Sequence, residues 1–326
     1  MPSIVTHHLF AKDVLYKLPK KEKERIELAK EHYLIFAQSF DNLFYYHFFL
    51  GPLGKHIRKC GTSFQKIKID DYFINILEYI KHYKLENNSQ VLAYLFGSLT
   101  HYALDNTCHP FIIYKSGDYK KHQNHNLKYR GLHNKFEVEL DAYMYELKTK
   151  KKLYLQKIAN SLLPKVSINQ ELRNIMQYTY LHTFNEKRMD QKYFSSVNTG
   201  NFILKYFVTD RMGIKKKIYQ IGDKIIKKNE RKYQYLSFYI KENNLSNLNT
   251  EHTCWNYPTD KNMISNESFL ELYNKAMDKC LKYITACMKY INNEINLNIL
   301  KKEIQDLNYA TGLSWKDNKK LQYFEF

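Results

Sequence analysis

The stretches THYALDNTCHP at residues 100–110 and HNKFEVELD at residues 133–141 decide the fold of this 326-residue chain. If the first stretch is a helix, His101, Asp105 and His109 recur every four residues. They then lie along one side of the helix, because about 3.6 residues make one turn. A proline follows directly after His109, and we expect the helix to stop or bend there.

The second stretch repeats the same spacing. His133 and Glu137 are four residues apart, and Asp141 lies one further turn along. Imidazoles and carboxylates presented from one side of two helices are the donors that zinc-like ions prefer. The two stretches together therefore predict a metal centre built on helices.

The rest of the chain favours an all-α fold. Only ten glycines and six prolines occur in the sequence, so long segments run without turn residues. We expect one multi-helix domain over residues 1–326, with the metal site within residues 1–150 and additional helices in residues 151–326. The predicted helical segments are residues 6–18 with Thr6 as N-cap, 22–49, 70–83, a helix capped by Asn88, 131–150, 151–163, 169–188, parts of 201–241, and 268–295. Residues 116–127 are polar and are predicted to form a loop.

The charge of the chain leaves two interpretations open. The formal net charge is +18, which suits an anionic partner such as nucleic acid or an acidic membrane surface. A compositional bias is the interpretation that we favour, because the lysines are spread along the chain together with abundant Asn, Ile and Tyr.

The sequence carries no pattern of export or membrane insertion. No apolar run reaches the roughly 18 residues of a spanning helix, and residues 1–8 lack the layout of a secretory signal. The five cysteines are scattered without a CxxC pair, which is typical of a reducing compartment. We therefore expect a cytoplasmic protein, with secretion of a longer precursor left open.

Further candidate ligands lie upstream of the two stretches. His7 and His8 occur in the first predicted helix, and we favour His7 because it directly follows Thr6. Asp41 lies in an aromatic-rich segment, and His56 follows it by 15 residues. Read alone, Asp41 is equally an ordinary polar residue of an amphipathic helix, and His56 a basic loop residue.

The order and spacing of these residues resemble the zinc-dependent phospholipase C proteins, which are related in structure to the S1/P1 nucleases. The His-x3-Asp pattern of residues 101–105, with a histidine soon after, and the His-x3-Glu pattern of residues 133–137 are the most specific part. The resemblance is good over residues 1–150 and loose beyond them.

The resemblance implies a helical fold with two or three Zn²⁺ ions. One ion would be held by Asp41, His56, His101 and Asp105. A second would be held by His109, His133 and Glu137, and a third would share Asp105 and take His7. Asp41 is implied as the general base, with Glu137 as a second candidate catalytic residue.

Close divalent ions and a nearby carboxylate suit phosphoester hydrolysis. We therefore expect a zinc-dependent phospholipase C that acts on a phospholipid or related phosphodiester, with peripheral contact to an anionic membrane. A zinc nuclease of the S1/P1 type acting on single-stranded nucleic acid is the alternative that the positive charge favours. A metal-stabilised binding protein without turnover is a third alternative.

Overall fold

The computed structural model describes residues 4–63, 69–118, 128–225, 232–242, 245–317 and 319–325. These residues confirm an all-α fold. The α-helices are α1 (Ile4–Lys17), α2 (Lys20–Glu27), α3 (Lys30–Phe36), α4 (Lys55–Ser63), α5 (Ile69–Tyr83), α6 (Ser89–Ser116), α7 (Leu132–Thr149), α8 (Ala159–Leu162), α9 (Gln170–Phe184), α10 (Met189–Ile203), α11 (Ile214–Ile225), α12 (Phe269–Ile291) and α13 (Leu297–Ile304). Short 3₁₀ or π-helical segments lie at Ser39–Tyr45, Phe48–Gly54, Leu153–Leu155, Leu204–Val208, Tyr233–Leu236, Leu245–Leu248 and Trp315–Asp317. A small antiparallel hairpin pairs β1 (Trp255–Tyr257) with β2 (Asp260–Ser265).

Helix α6 forms the centre of the fold. Every side chain from Val91 to Ile113 is buried, so the helix is enclosed on all sides. Helices α1, α3, α7 and α12 pack around it. Asn88 caps it as predicted, because its side-chain oxygen accepts hydrogen bonds from the backbone N–H groups of Gln90 and Val91.

The helix does not stop at Pro110, and the expected stop is wrong. Helix α6 continues to Ser116, six residues beyond the proline. A proline inside a helix removes one backbone hydrogen bond and costs about 3 kcal/mol. Burial of the following apolar side chains, Phe111, Ile112 and Ile113, offsets that cost.

The single long helix predicted for residues 22–49 is divided in the structure. Helix α2 ends at Glu27, α3 ends at Phe36, and two 3₁₀ segments follow. Left-handed backbone conformations at Ser39 and His47 break the helical path. The aromatic side chains of this region thereby pack on more than one neighbour, which a single helical stripe would not allow.

Two further predictions, the N-cap of α1 and a helix over residues 151–163, are wrong, and the predicted loop is described only in part. Helix α1 begins at Ile4, so Thr6 lies inside it and is not its N-cap. Residues 151–163 hold only a 3₁₀ turn and the four-residue α8. Lys150 ends α7 in a left-handed conformation, and Lys152 is extended. Of the predicted loop, residues 119–127 lie outside the described residues, and residues 117–118 are not helical.

The C-terminal region returns to the central helix. Helix α12 packs along α6 and begins with a capping box formed by Ser268 and Glu271. Beyond α13, the Tyr102 hydroxyl of α6 donates to the Gln305 carbonyl at 2.5 Å and accepts the Leu307 N–H at 2.8 Å. The tail is therefore fastened to α6 close to the predicted metal ligands.

Among the helices that the structure describes, none combines the length and the apolar character needed to cross a membrane.

A close contact between α3 and α6 generates a first prediction. A Cβ at Gly97 of α6 would lie 2.6 Å from Phe36 Cβ and 2.7 Å from the Tyr33 carbonyl oxygen of α3. Because the core is close-packed, Gly97→Ala should lower the free energy of unfolding by about 1–3 kcal/mol. Chemical unfolding followed by circular dichroism measures this change.

Gly222 provides the matched control, since a Cβ there would meet no atom within 4 Å. Gly222→Ala in helix α11 should leave stability unchanged or raise it by up to about 1 kcal/mol. Equal effects of the two substitutions would show that α3 and α6 do not approach as closely as described.

Candidate metal centre

The structure gathers seven of the eight predicted ligands into two neighbouring clusters. The first cluster consists of His7, Asp41, His101 and Asp105. The second consists of His109, His133 and Glu137. Within each cluster one ligand atom of every residue lies within 4.8 Å of the others, a spacing that suits a shared metal ion.

Asp105 connects the members of the first cluster. Its Oδ1 lies 3.2 Å from His7 Nε2, and its Oδ2 lies 3.2 Å from His101 Nε2. Asp41 Oδ2 is 3.8 Å from the same nitrogen of His101. The rings of His7 and His101 are stacked with centroids 4.4 Å apart. All four side chains are buried, so their polar atoms depend on one another or on a bound ion.

Glu137 has the corresponding place in the second cluster. Its Oε1 lies 3.1 Å from His133 Nε2 and 4.0 Å from His109 Nε2. His109 Nδ1 is 3.7 Å from Asp105 Oδ2, so the two clusters adjoin. His133 is the half-exposed member, which places the solvent-facing side of the centre at the start of α7.

Four separate elements deliver these side chains. Helix α6 supplies His101, Asp105 and His109 from one stripe, as the spacing predicted. Helix α7 supplies His133 and Glu137. Helix α1 supplies His7, and the 3₁₀ segment Ser39–Tyr45 supplies Asp41.

Hydrogen bonds to the far ring nitrogens orient three of the imidazoles. His101 Nδ1 lies 3.2 Å from the Ala37 carbonyl, and His109 Nδ1 lies 3.1 Å from the Tyr309 carbonyl. His133 Nδ1 lies 3.2 Å from the Ser116 hydroxyl. With Nδ1 donating to a carbonyl, the lone pair of Nε2 faces the carboxylates, as in many metal sites. Sequence reasoning missed the Ala37 and Tyr309 partners because a backbone carbonyl carries no residue signature.

Asp141 holds helix α1 rather than an imidazole. Its carboxylate accepts hydrogen bonds from the Thr6 N–H at 2.8 Å, the Thr6 hydroxyl at 2.7 Å and the Val5 N–H at 3.2 Å. These are unpaired donors of the first helical turn, and a negative charge is favourable there. The contact fixes the turn that carries His7, so Asp141 acts on the site through α1. Asn106, the neighbour of Asp105 in the sequence, accepts a hydrogen bond from Lys279 Nζ.

The pKa shifts show how strongly the carboxylates interact. Burial raises the pKa of Asp41 well above its ordinary value, and the charges of Asp105 and Glu137 raise it further. Burial also acts to raise the pKa of Asp105, but the surrounding imidazoles, His109 first, outweigh it and lower that pKa. Burial lowers the pKa of His101 to about 3, against the opposing charge of Asp105. At neutral pH His101 is therefore a neutral imidazole, the form that binds zinc.

His133 and Glu137 of the second cluster form an ion pair. Burial opposes the charged forms of both residues, yet the Glu137 carboxylate raises the pKa of His133, and His133 in turn lowers the pKa of Glu137. The pair therefore favours an ionised carboxylate at this position.

The buried atoms without partners support a metal at both clusters. His7 Nδ1 and Glu137 Oε2 are buried and make no hydrogen bond to any described group. Leaving such atoms unpaired costs about 1–3 kcal/mol each. Neutral imidazoles with carboxylate oxygens are a typical zinc donor set, so the residues present fit the ion.

The structure does not bring His56 to this centre. The chain leaves helical geometry at Gly51, where φ is 55°, and α4 then begins at Lys55 with the His56 side chain 75 % exposed. His56 Nε2 instead contacts the carboxylate of Glu186, beside Cys60. In the described residues His7 completes the cluster in which the resemblance placed His56.

Two other candidates are placed in the core. His8 is buried outside both clusters, and burial lowers its pKa to about 4, with the charge of Lys12 adding to the shift. Cys108, which precedes His109 and could offer a soft thiolate ligand, is 2 % exposed and packs in the hydrophobic core. The N-terminal residues 1–3 lie outside the described residues.

A comparison with protein families supports the metal-centre interpretation. The family model described as zinc dependent phospholipase C matches residues 6–187, more than half of the 326 residues. The matched range contains all eight residues predicted as ligands. No curated protein and no solved structure matches the chain significantly.

The position of His7 generates a second prediction. His7→Ala removes a ligand from the first cluster and should weaken zinc binding by at least about tenfold, the range seen even for supporting residues of metal sites. Equilibrium dialysis with zinc quantification by mass spectrometry measures this loss. His56→Ala is the matched control and should keep the wild-type zinc content of the two buried clusters. The reverse result would place His56, rather than His7, at the metal.

The contact between Asp141 and α1 generates a third prediction. Asp141→Ala leaves two backbone donors and a hydroxyl buried without an acceptor, and should cost about 2–4 kcal/mol of unfolding free energy. Asp141→Asn keeps one acceptor oxygen and should cost less. Zinc affinity should follow the same order, because His7 lies on the loosened turn. Wild-type stability and zinc affinity in the alanine variant would contradict this role.

Proposed function

This chain belongs to the zinc-dependent phospholipase C family, and from that premise we propose that it hydrolyses phospholipids on the glycerol side of the phosphate. The single observation that carries the proposal is the pair of adjoining His/Asp/Glu clusters within the matched range. Family membership supports the class of hydrolase, and the clusters support metal-dependent phosphodiester cleavage.

The two clusters would hold the zinc ions. His7, Asp41, His101 and Asp105 would bind one ion, and His109, His133 and Glu137 would bind another. Bound zinc supplies Lewis acidity toward phosphate oxygens and lowers the pKa of water, which favours attack on phosphorus at neutral pH.

Asp41 is the proposed general base. Its carboxylate lies at the edge of the first cluster, 3.8 Å from His101, and it has the longest ion-pair distance in that cluster. Burial and the charges of Asp105 and Glu137 raise its pKa, which increases the affinity of this carboxylate for a proton. Asp41 Oδ2 would take the proton from the attacking water.

Asp105 and Glu137 have different proposed roles. Asp105 contacts both histidines of its own cluster and faces His109 of the other cluster. It would therefore hold the two clusters next to each other. Glu137 Oε1 faces two imidazoles while its Oε2 has no hydrogen-bond partner among the described residues. This second oxygen is available to hold a metal ion.

The half-exposed His133 supports substrate entry at the start of α7, since the other clustered ligands are buried. A phosphodiester would reach the second cluster first and would bring its phosphate toward Asp105. The aliphatic part of a lipid would then remain outside, along the surface next to residues 131–133.

A nuclease activity is the second candidate, and the net charge of +18 favours it because phosphate contacts supply much of nucleic-acid affinity. A binding protein without turnover is the third alternative. Assays on phosphatidylcholine micelles and on single-stranded DNA under the same conditions discriminate among the three.

A fourth prediction concerns activity. Zinc-loaded protein should release diacylglycerol and phosphocholine from phosphatidylcholine and leave single-stranded DNA intact. Asp105→Asn should lower the rate at least about 100-fold, because the bridging carboxylate loses its charge between three imidazoles. Phosphocholine release quantified by phosphorus nuclear magnetic resonance measures the rates of the wild-type and variant proteins, and gel electrophoresis shows whether the DNA stays intact.

Asp190→Asn is the matched control. Asp190 is buried and ion-paired with Arg173 outside both clusters, so this variant should keep wild-type activity. Faster cleavage of DNA than of lipid would support the nuclease instead. Stoichiometric zinc without turnover on either substrate would support the binding protein.

A further inference from the structure

Helix α11 has its apolar side outward. Ile214, Ile218, Ile221 and Ile225 fall on one stripe, and their exposed fractions are between 53 % and 76 %. None of the α11 residues is fully buried. Surface helices of globular proteins normally turn such a stripe toward the core, whereas the stripe of α11 faces away from it.

The polar side of α11 is the side that attaches to the protein. Asp223 accepts hydrogen bonds from the backbone N–H groups of Tyr233 at 2.7 Å and Gln234 at 3.0 Å. Lys216 Nζ donates to the Tyr239 carbonyl at 2.9 Å, and the Tyr219 hydroxyl donates to the Phe207 carbonyl at 2.9 Å. These bonds fix the orientation of the helix and leave the isoleucines facing away.

Basic side chains flank the outward stripe. Lys217 and Lys224 are exposed along one edge of the isoleucines. The only carboxylate within α11, that of Asp223, is on the opposite side and already accepts two hydrogen bonds. The outward side of α11 therefore combines isoleucine with lysine and carries no negative charge.

Other exposed apolar side chains lie at the end of α10, just after it and in the Phe48–Gly54 segment, where the Phe49 and Phe207 rings are 5.3 Å apart. These exposed residues are Phe49, Leu50, Leu53, Phe202, Tyr206, Phe207 and Met212. Exposed apolar side chains grouped in this way are typical of interaction surfaces.

Helix α11 is connected to the open side of the metal centre through the Tyr233–Leu236 segment. The Tyr233–Leu236 segment that binds Asp223 also packs against α7. A Cβ at Gly131, the residue before α7, would lie 3.2 Å from Tyr235 Cδ2. The half-exposed His133 follows Gly131 by two residues, so one short segment connects α11 to the rim of the site.

We propose that the outward face of α11 docks on an anionic lipid surface and sets the metal centre beside its substrate. Apolar side chains flanked by lysines suit the boundary between lipid headgroups and acyl chains. A second copy of this chain suits the face less well, because two lysine-edged faces on chains of charge +18 repel each other. Delivery of substrate to the site rests on the proposed function, whereas attachment to lipid does not.

Vesicle flotation tests the docking. Wild-type protein should bind vesicles of phosphatidylcholine mixed with phosphatidylserine more tightly than vesicles of phosphatidylcholine alone. The double variant Ile218→Asp/Ile221→Asp should bind the mixed vesicles at least about tenfold more weakly, since burial of an isoleucine contributes about that factor. Lys217→Glu/Lys224→Glu should lose the preference for phosphatidylserine.

Ile264→Asp is the matched control, because Ile264 is 61 % exposed on β2 and lies outside this surface. It should float with the vesicles as wild-type protein does. Circular dichroism should show the same helix content for all variants. No binding by wild-type protein, or unchanged binding by the α11 variants, would overturn the proposal. A dimer that only the α11 variants convert to monomer, without vesicle binding, would also overturn it.

Two further measurements separate docking from catalysis. Asp105→Asn protein should bind vesicles as wild-type protein does, because lipid attachment does not use the metal centre. The Ile218→Asp/Ile221→Asp variant should hydrolyse soluble short-chain phosphatidylcholine at the wild-type rate and vesicles at least about tenfold more slowly. Flotation without hydrolysis by wild-type protein would refute the proposed function and leave lipid docking standing.

Discussion

Crowding of negative charge in the interior is the constraint on which the rest of this structure depends. Asp41, Asp105 and Glu137 are buried around one centre, where burial and then the charges of the other two carboxylates raise the pKa of Asp41. Buried carboxylates are stable only when positive charge or hydrogen-bond donors lie between them. The imidazoles supply part of this compensation, and the unpaired His7 Nδ1 and Glu137 Oε2 indicate that metal ions supply the remainder. The helices surrounding α6 can be understood as the frame that keeps these groups together.

Much of this centre could be predicted from the sequence. With about 3.6 residues per helical turn, the spacing of residues in the sequence determines which of them share one side of a helix. The spacing placed His101, Asp105 and His109 on one stripe, and the structure agrees. It could not place His56, whose position depends on a backbone break at Gly51 rather than on any period. The centre also depends on carbonyl groups such as that of Ala37, which every residue possesses and which therefore leave no trace in a sequence.

The fold shows the same division between local and tertiary information. The capping residue Asn88 was recognisable because capping is a local interaction. The passage of α6 through Pro110 was not, because burial of the residues beyond it outweighs a local preference. Periodicity also predicts an apolar stripe on a helix such as α11 without telling which way that stripe faces. Its outward direction is set by the hydrogen bonds of Asp223 and Lys216 with distant backbone groups.

The bond between His109 and the Tyr309 carbonyl has a consequence for the order in which the protein is made. A ribosome releases the N-terminal part of a chain first, and early segments begin to fold before synthesis ends. All seven clustered ligands lie within residues 7–137, yet the carbonyl that fixes the His109 ring is made 200 residues after it. Until Tyr309 has been made, the His109 ring lacks this hydrogen bond. The nascent chain can gather its ligands early, but it acquires the finished geometry only after the tail has left the ribosome.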